Sequence, residues 1–232
     1  GDLTGHIHAV ETGLSSDPPM NWMCSFLDDY TLISNSDAHS PEKLGREANL
    51  FDCNLSFTAI TEAMKAGSNG FRGTIEFFPE EGKYHFDGHR NCDVVMNPLE
   101  SEEHGNICPV CGKKLTVGVL NRVVQLADRP YEAHRSDRPA YYPLVSLKDI
   151  LSERLKAGRE SKRVNQAYFS LLEMGGSEIN ILHHLPLDVL GQFADDTLVE
   201  GIYRMRTGRI QIRPGYDGNF GTVSVFNEER LF

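Results

Sequence analysis

Hydrophobic and polar positions in the first third of the chain alternate between strand and helix spacing. Residues 30–34 are β-branched and apolar, and they predict a short strand that ends in a polar turn. A helix is predicted at 41–48, with Ser40 as its N-cap and a proline in its first turn. Helical spacing of apolar residues predicts another helix at 57–66, and residues 71–78 predict a strand. This alternation is typical of an α/β fold.

The pattern changes after residue 80. Residues 80–111 are rich in Gly, His, Asp, Asn and Cys, which makes this stretch too polar to pack around an apolar core of its own. Helical spacing returns at 116–127, and a loop rich in Arg, Pro and Tyr follows it. The last third is predicted to be mainly helical and to end in a hairpin. Its predicted helices are 146–156, 161–174, 186–193 and 195–205, and its hairpin strands are 209–213 and 222–226.

Composition narrows the class of protein. A chain of 232 residues with 40% hydrophobic content can bury a sizeable core. It has no stretch of about 18 uninterrupted apolar residues and no basic and apolar runs typical of a signal peptide, so we expect a cytoplasmic protein with no membrane partner. The net charge of -10 argues against nucleic-acid binding through overall charge, although a local basic groove is compatible with it.

The cysteines indicate a metal site. Five cysteines, an odd number, favour a reduced compartment over a disulfide framework. Three of them, with one histidine, form the spacing His89-x2-Cys92 and Cys108-x2-Cys111. Two short knuckles that each give two ligands meet the demand of a tetrahedral structural Zn²⁺ ion. The metal would also supply the cohesion that this polar stretch lacks. His85 is an alternative to His89 as the fourth ligand, and the choice between them stays open.

A second candidate metal site follows the first predicted strand. Asp37 and His39 lie two residues apart just after it, where side chains at a strand end project toward one pocket. A carboxylate with an imidazole is a ligand set that holds a divalent ion and lets it activate water. His6 and His8 have the same spacing beside Glu11, and for these three residues a functional and a structural role are equally supported.

Two groups of basic residues are candidates for contact with phosphates. The first lies on or between two predicted helices, and the second leads into the terminal hairpin. A solvated charged face explains such groups equally well. If they bind a nucleic-acid backbone, affinity should fall steeply as the salt concentration rises. The groups are Arg154, Lys156, Arg159, Lys162 and Arg163, and Arg204, Arg206, Arg209 and Arg213; the predicted DNA contacts are Arg159, Lys162 and Arg163.

An ordered series of motifs resembles a known family. The motifs are ETGLSSDP at 11–18, NSDAHS at 35–40, KYHFDGHRNC at 83–92 and CPVC at 108–111. Together they resemble endonuclease Q and its bacterial relatives, which belong to the PHP superfamily of metal-dependent phosphoesterases. The resemblance covers nearly the whole chain, and the series is far more specific than any one motif.

The resemblance implies a DNA repair endonuclease that nicks the strand on the 5′ side of a deaminated base (uracil, hypoxanthine or xanthine) or of an abasic site. It implies attack by metal-activated water, with Asp37 and His39 as ligands of a catalytic cluster of Zn²⁺ or Mn²⁺/Mg²⁺. Ser15 and Asn35 would line the pocket for an extruded base. The Asn35 amide is a donor that would prefer the carbonyl left where deamination removed an amino group.

The resemblance also implies the fold class, which is α/β. Residues 1–79 would be the C-terminal part of a PHP-type distorted β/α barrel, residues 80–130 a zinc-binding module with knuckles, and residues 131–232 a mainly helical region with a β-hairpin. Family members carry further His and Glu ligands upstream of the segment that opens this chain. We therefore expect a fragment of an enzyme, weakly active or inactive by itself.

Two other functions fit parts of the sequence. A zinc-containing DNA-binding module without catalysis would need no upstream ligands. A PHP phosphoesterase for a small phosphorylated metabolite would use Asp37 and His39 but leaves the zinc knuckles and the basic groups unexplained. The ending at 229–232, Glu-Arg-Leu-Phe, faintly resembles a sliding-clamp peptide, which makes a clamp a second partner hypothesis beside DNA containing deaminated bases.

Overall fold

A computed structural model describes residues 2–67, 69–132 and 134–226 of the chain. The chain forms two compact units. The first unit comprises the chain up to Tyr142 together with Arg213–Thr222, and the second comprises Pro143–Ile212 together with the chain from Val223 onward. The three-part division predicted at residues 79 and 130 remains a prediction. The ending at 229–232, on which the clamp hypothesis depends, lies outside the described residues.

Short strands form small sheets in the described part of the chain. In chain order they are β1 (Ala9–Glu11), β2 (Thr31–Ile33), β3 (Ala48–Phe51), β4 (Phe71–Glu76), β5 (Asp87–His89), β6 (Val94–Met96), β7 (Ala140–Pro143), β8 (Gln211–Arg213) and β9 (Thr222–Ser224). β1 and β2 pair in parallel, whereas β3 and β4 pair antiparallel and β7 lies on the other side of β4. β5 pairs antiparallel with β6, and β8 with β9 forms the predicted terminal hairpin.

Helices connect these strands and fill most of the second unit. They are α1 (Pro18–Trp22), α2 (Phe57–Ala66), α3 (Pro98–Glu103), α4 (Val119–Leu126), α5 (Leu147–Leu155), α6 (Lys162–Gly175), α7 (Leu187–Leu190) and α8 (Asp196–Arg206). Most begin at a polar N-cap whose side chain accepts a backbone N–H, as Ser56 does for α2 and Ser161 for α6. Within the described ranges, no helix combines the length and the apolar character that crossing a membrane requires.

The mixed α/β class is confirmed, and the barrel arrangement remains a prediction. The strand predicted at 30–34, the helix at 57–66 and the strand at 71–78 are present as β2, α2 and β4. α2 ends where predicted because Gly67 adopts a positive φ of 67° and its N–H bonds to the carbonyl of Ala63. Thr31 at the start of β2 donates its hydroxyl to the Met64 carbonyl at 2.6 Å, which fastens the strand to this helix.

The helix predicted at 41–48 is wrong. The structure has a single 3-10 turn at Pro41–Lys43, and Ser40 makes no side-chain capping bond. Leu44 is extended and Gly45 has a φ of 76°, so the turn cannot continue. The chain then enters β3, where Asn49 and its neighbours pair with β4. Residues 41–48, which have the sequence pattern of one helix, thus form a turn that is followed by the start of a strand.

β4 and β7 approach each other unusually closely. Gly73 in β4 has a φ of 137°, and a Cβ added there would lie 1.9 Å from the carbonyl oxygen of Ala140 in β7. No side chain fits in that space, because real Cβ contacts do not fall below about 3 Å. Glycine at position 73 therefore allows β7 to pair at this edge of the sheet.

The second unit is built from the predicted helices. α5, α6, α7 and α8 lie within or close to the ranges that helical spacing predicts. Between α6 and α7 the chain makes one π-helical turn at Asn180–His184, and the Arg206 guanidinium donates to the carbonyls of Ile181 and Leu182 beside it at 2.9 and 2.8 Å. The fully buried apolar side chains of this unit include Leu147, Ile150, Leu151, Val164, Ile181, Leu190, Ile202 and Val225.

Replacing Glu153 by alanine is expected to destabilise the second unit by about 2 kcal/mol. Glu153 on α5 accepts hydrogen bonds from the Ser224 hydroxyl and from the backbone N–H groups of Val225 (3.0 Å) and Phe226 (3.1 Å). The variant leaves both N–H groups without this acceptor. Urea unfolding measures the change, and Glu173→Ala at an exposed position of α6 serves as control. Equal losses in the two variants would contradict the role of Glu153.

Candidate functional site

The four residues of the predicted knuckles come together in the first unit. His89 ends β5, Cys92 lies in the 3-10 turn that follows, and Cys108 and Cys111 lie in the loop after α3. Their ligand atoms all lie within 4.8 Å of one another, and the Cys111 Sγ is 3.5 Å from the His89 Nδ1. One imidazole with three thiolates is a donor set that structural zinc sites use, and this spacing fits a single tetrahedral ion. The group can therefore hold a metal ion.

Local backbone geometry builds the second knuckle. The N–H of Cys108 bonds to the carbonyl of Lys113 at 2.7 Å, and the N–H of Gly112 bonds back to the Cys108 carbonyl at 2.9 Å. Gly112 has a φ of 71°, which closes this tight turn. Burial disfavours the Cys108 thiolate, but hydrogen bonds from the backbone N–H groups of Cys111 and Val110 and from the Cys111 and His89 side chains together lower the pKa of the thiol. Cys108 is thus prepared to act as a thiolate ligand.

Asp87 holds the module together beside the cluster. It is fully buried in β5, and its carboxylate accepts from the Gly118 N–H at 2.7 Å, the Asn121 amide at 2.6 Å and the Ser101 hydroxyl. Gly118 directly precedes α4, Asn121 lies on α4 and Ser101 lies on α3. Gly118 is extended, with φ −87° and ψ 171°, so α4 starts at Val119, three residues later than helical spacing predicts.

The structure distinguishes His85 from His89 as the fourth ligand of the predicted metal site. His85 is buried and stacks on the Phe86 ring with centroids 5.5 Å apart. Burial lowers the pKa of His85 to about 4, so its imidazole is neutral at physiological pH. It is not a member of the His/Cys group, whereas His89 is.

Asp37 and His39 lie in the loop after β2, as predicted, but they are exposed. The Asp37 and His39 side chains are 73% and 86% accessible, and the His39 Nδ1 lies 2.8 Å from the Asp37 carbonyl oxygen. Asp37 has a φ of 44°, so the backbone of this loop turns sharply at Asp37. Over the described ranges, neither residue joins a group of three or more metal-ligating side chains, and the same holds for His6, His8 and Glu11.

The predicted base-pocket residues lie after β1 and β2, the two parallel strands. Ser15 and Asn35 are both exposed. Thr12 directly follows β1 and Ser34 directly follows β2, and both hydroxyls donate to the same Glu76 Oε2 at 3.2 Å. Glu76, fully buried at the end of β4, therefore connects the two loops that carry the predicted pocket.

Glu76 belongs to a group of buried acidic residues. Burial raises the pKa of Glu76 to about 8 and that of Glu47 to about 7, and the negative charge of Glu47 raises the pKa of Glu76 further. Burial likewise raises the pKa of Asp17 to about 7 and raises that of Glu80. With a pKa of about 8, the Glu76 carboxyl is mostly neutral at pH 7. Sequence reasoning missed Glu76, although an acidic residue inside the apolar run 71–78 was a signal for it.

Some basic residues of the second unit form ion pairs with acidic side chains, whereas others are exposed. Arg159 forms an ion pair with Asp149, and its Nη1 lies 3.1 Å from the Ser146 hydroxyl. Arg154 pairs with Asp195, Arg204 pairs with Glu200, and the Arg209 guanidinium lies over the Tyr203 ring. Lys162 and Arg163, in the first turn of α6, are exposed. The structure brings them near the N-terminal end of that helix, which a phosphate can approach.

The chain is similar to one family model and to two uncharacterized proteins. A family model described as the MJ0043 C-terminal domain matches residues 146–209. An uncharacterized protein, MJ0043 of Methanocaldococcus jannaschii, is 33% identical over 223 residues, which are 93% of this chain and 28% of that protein. The uncharacterized protein YqxK of Bacillus subtilis is 31% identical over 222 residues, which are 94% of this chain and 52% of that protein. The chain thus spans about half or less of these relatives.

Two solved structures are similar over nearly the whole chain. The lesion-specific endonuclease PfuEndoQ from Pyrococcus furiosus matches with a TM-score of 0.84 and 32% identity, covering 94% of this chain and 55% of that one. Endonuclease Q in complex with a 27-mer duplex substrate that has an abasic lesion at the active site matches with a TM-score of 0.79 and 31% identity. That match covers 95% of this chain and 56% of the other.

Proposed function

We propose, from the confirmed resemblance to endonuclease Q, that this chain is part of a nuclease that acts in DNA repair. The observation that carries the proposal is the shared fold over nearly the whole chain, at an identity above 30%. The ordered motifs at 11–18, 35–40, 83–92 and 108–111 support the same proposal.

We propose damaged DNA as the substrate, nicked on the 5′ side of a deaminated base or an abasic site. Selection would use a base extruded from the duplex, because the Watson–Crick edge of a paired base is inaccessible to side chains within the stack. Ser15 and Asn35 are the residues proposed to meet that base. Both are exposed on neighbouring loops after parallel strands, and Glu76 connects those loops through Thr12 and Ser34.

Asp37 and His39 are proposed as ligands of the catalytic metal ions. A cluster that activates water for phosphodiester hydrolysis needs several ligands for each ion. The described residues supply these two side chains without a third partner, so they do not complete such a cluster. We therefore derive no hydrolytic step through a metal from this chain's residues.

His89, Cys92, Cys108 and Cys111 are proposed to hold one structural Zn²⁺ ion. The ion would bind the loop after α3 to the end of β5 and stabilise a stretch that has little apolar core. Its role would be structural, because four protein ligands leave no open position for a substrate. The buried Asp87 network would keep the ligand loops in place.

Lys162 and Arg163 are proposed to contact DNA phosphates, and Arg159 is proposed as a third contact. The first two are exposed, whereas Arg159 is already paired with Asp149 and would have to share its charge. Phosphate contacts position a protein on DNA without reading its sequence. They should therefore strengthen binding to damaged and undamaged duplexes alike.

Fluorescence anisotropy with matched duplexes tests these proposals. We expect the chain to bind a duplex with one abasic site, deoxyuridine or deoxyinosine more tightly than the same duplex without damage. Changing both Lys162 and Arg163 to alanine should weaken binding to every duplex and reduce the slope of log affinity against log salt by about 2. The matched control removes two exposed charges of the first unit, Lys114 and Arg122. A slope equally reduced in the control would contradict a specific role for α6.

A second candidate is a DNA-binding module without catalysis. The exposure of Asp37 and His39, without a third ligand among the described residues, favours it for this chain by itself. Nicking assays with Zn²⁺, Mn²⁺ or Mg²⁺ separate the two functions. Lesion-selective binding without nicking would support the module, and nicking that Asp37→Asn abolishes would support the nuclease.

A further inference from the structure

Asn49 in β3 is fixed by the backbone of Ser34. The Asn49 Oδ1 accepts the Ser34 N–H at 2.9 Å, and the Asn49 Nδ2 donates to the Ser34 carbonyl at 2.7 Å. A backbone N–H only donates and a carbonyl only accepts, so this pair of bonds allows one orientation of the Asn49 amide. The Asn49 side chain thereby makes the two hydrogen bonds to Ser34 that the backbone of a paired strand would make.

The fixed orientation of Asn49 determines that of Asn35. The second N–H of the Asn49 Nδ2 points at the Asn35 side chain, 3.2 Å from its Oδ1. An N–H donor needs an acceptor, so the Asn35 oxygen must face Asn49 and the Asn35 Nδ2 must face away from it. No partner for the Asn35 Nδ2 occurs in the part of the chain that the structure describes, and the side chain is exposed.

We infer that Asn49 is a positioning residue that sets the base preference of the proposed pocket by holding the N–H donors of Asn35 outward. The inference rests on the proposed function, in which Asn35 meets the extruded base. Asn49 itself would not touch the base, since its three polar bonds go to Ser34 and Asn35.

The preference follows from hydrogen-bond chemistry. Uracil and hypoxanthine carry a carbonyl oxygen where cytosine and adenine carry an amino group. An amide N–H held outward donates to the carbonyl but meets the amino group as donor against donor. If the Asn35 amide were free to rotate, it would turn its oxygen to the amino group and lose this discrimination. A fixed amide therefore rejects cytosine and adenine, because one of two donors would be left without an acceptor.

Asn49→Asp reverses the constraint. A carboxylate at position 49 still accepts the Ser34 N–H but can no longer donate to the Ser34 carbonyl or to Asn35, so Asn35 should turn its Nδ2 toward it and present its oxygen outward. Anisotropy should show binding to deoxyuridine and deoxyinosine duplexes weakened about tenfold, the effect of one lost hydrogen bond. Binding to the abasic duplex should change less than about twofold, since no base is there to contact. Asn54→Asp, the same change at an exposed loop position, serves as control.

A double-mutant cycle tests whether Asn49 acts through Asn35. In an Asn35→Ala background, Asn49→Asp should no longer affect the ratio of abasic to deoxyuridine affinity. The inference is overturned if Asn49→Asp weakens the abasic and base-containing duplexes equally, which indicates general loss of the fold. It is also overturned if the effect persists in the Asn35→Ala background. Failure of the proposed function itself is recognised earlier, because the unmodified chain would then bind damaged and undamaged duplexes alike.

Discussion

Replacing Cys108 by serine is expected to abolish metal binding and to unfold the segment between β5 and α4. The unmodified chain should contain one zinc per chain when purified without added metal, and the variant should contain less than a tenth of that. Because a structural zinc ion contributes on the order of 10 kcal/mol in small domains, the first unit should lose at least about 3 kcal/mol of stability. Elemental mass spectrometry and thermal unfolding measure the two effects.

The expectation depends on where Cys108 lies. It is buried, and the backbone N–H groups of Cys111 and Val110 in the knuckle favour its thiolate. A serine hydroxyl remains neutral and binds zinc weakly, whereas the thiolate is an excellent ligand. Cys53→Ser is the matched control, since that thiol is exposed and lies outside the His/Cys group. Full zinc content in Cys108→Ser would refute the site, and two zinc ions per unmodified chain would point to Asp37 and His39 as well.

Replacing Glu76 by glutamine is expected to stabilise the chain at pH 8 and leave its stability at pH 4.5 nearly unchanged. The pKa of Glu76 is about 8 in the folded chain, against 4.5 for an ordinary glutamic acid. Between these two values the unfolded chain releases a proton that the folded chain keeps, so stability falls as the pH rises through this window. Glutamine does not titrate, and the variant should be more stable by about 2 kcal/mol at pH 8.

Urea unfolding at pH 4.5, 6 and 8 measures this difference. Glutamine keeps an amide oxygen that can accept from Thr12 and Ser34, so the connection between the two loops is retained in the variant. Glu47 and Asp17 titrate in both proteins, and comparison of variant with unmodified chain removes most of their contribution. Glu102→Gln, at an exposed position of α3, should leave the pH dependence unchanged. Parallel pH profiles for Glu76→Gln and the unmodified chain would contradict the raised pKa.

Sequence reasoning succeeded where local interactions decide the structure. α2, α5, α6 and α8 have a side-chain N-cap a few residues from the first apolar position, so periodicity and capping predict their limits. The His/Cys group was likewise predicted, because each knuckle lies within four residues of sequence. The choice between His85 and His89 was not, since it depends on which imidazole packs against Phe86.

The remaining features depend on contacts between distant residues. Glu76 meets Thr12 across 64 positions of sequence, and Asn49 meets Ser34 across 15, so neither pair is visible in a local pattern. The predicted helix at 41–48 failed for a similar reason, since β3 forms by pairing with β4. Arg159 was predicted as a DNA contact, and its ion pair with Asp149 became visible only in three dimensions.

The contact between Gly73 and the Ala140 carbonyl has a consequence for how variation in related sequences is interpreted. A scan of all substitutions should find position 73 among the least tolerant in the chain, although it carries no functional group. Even alanine would force β7 away from β4, because its methyl would meet the Ala140 oxygen at 1.9 Å. Intolerance there would report strand packing, and a glycine at this position in a distant homologue would indicate the three-stranded sheet independently of any metal-ligand or pocket residue.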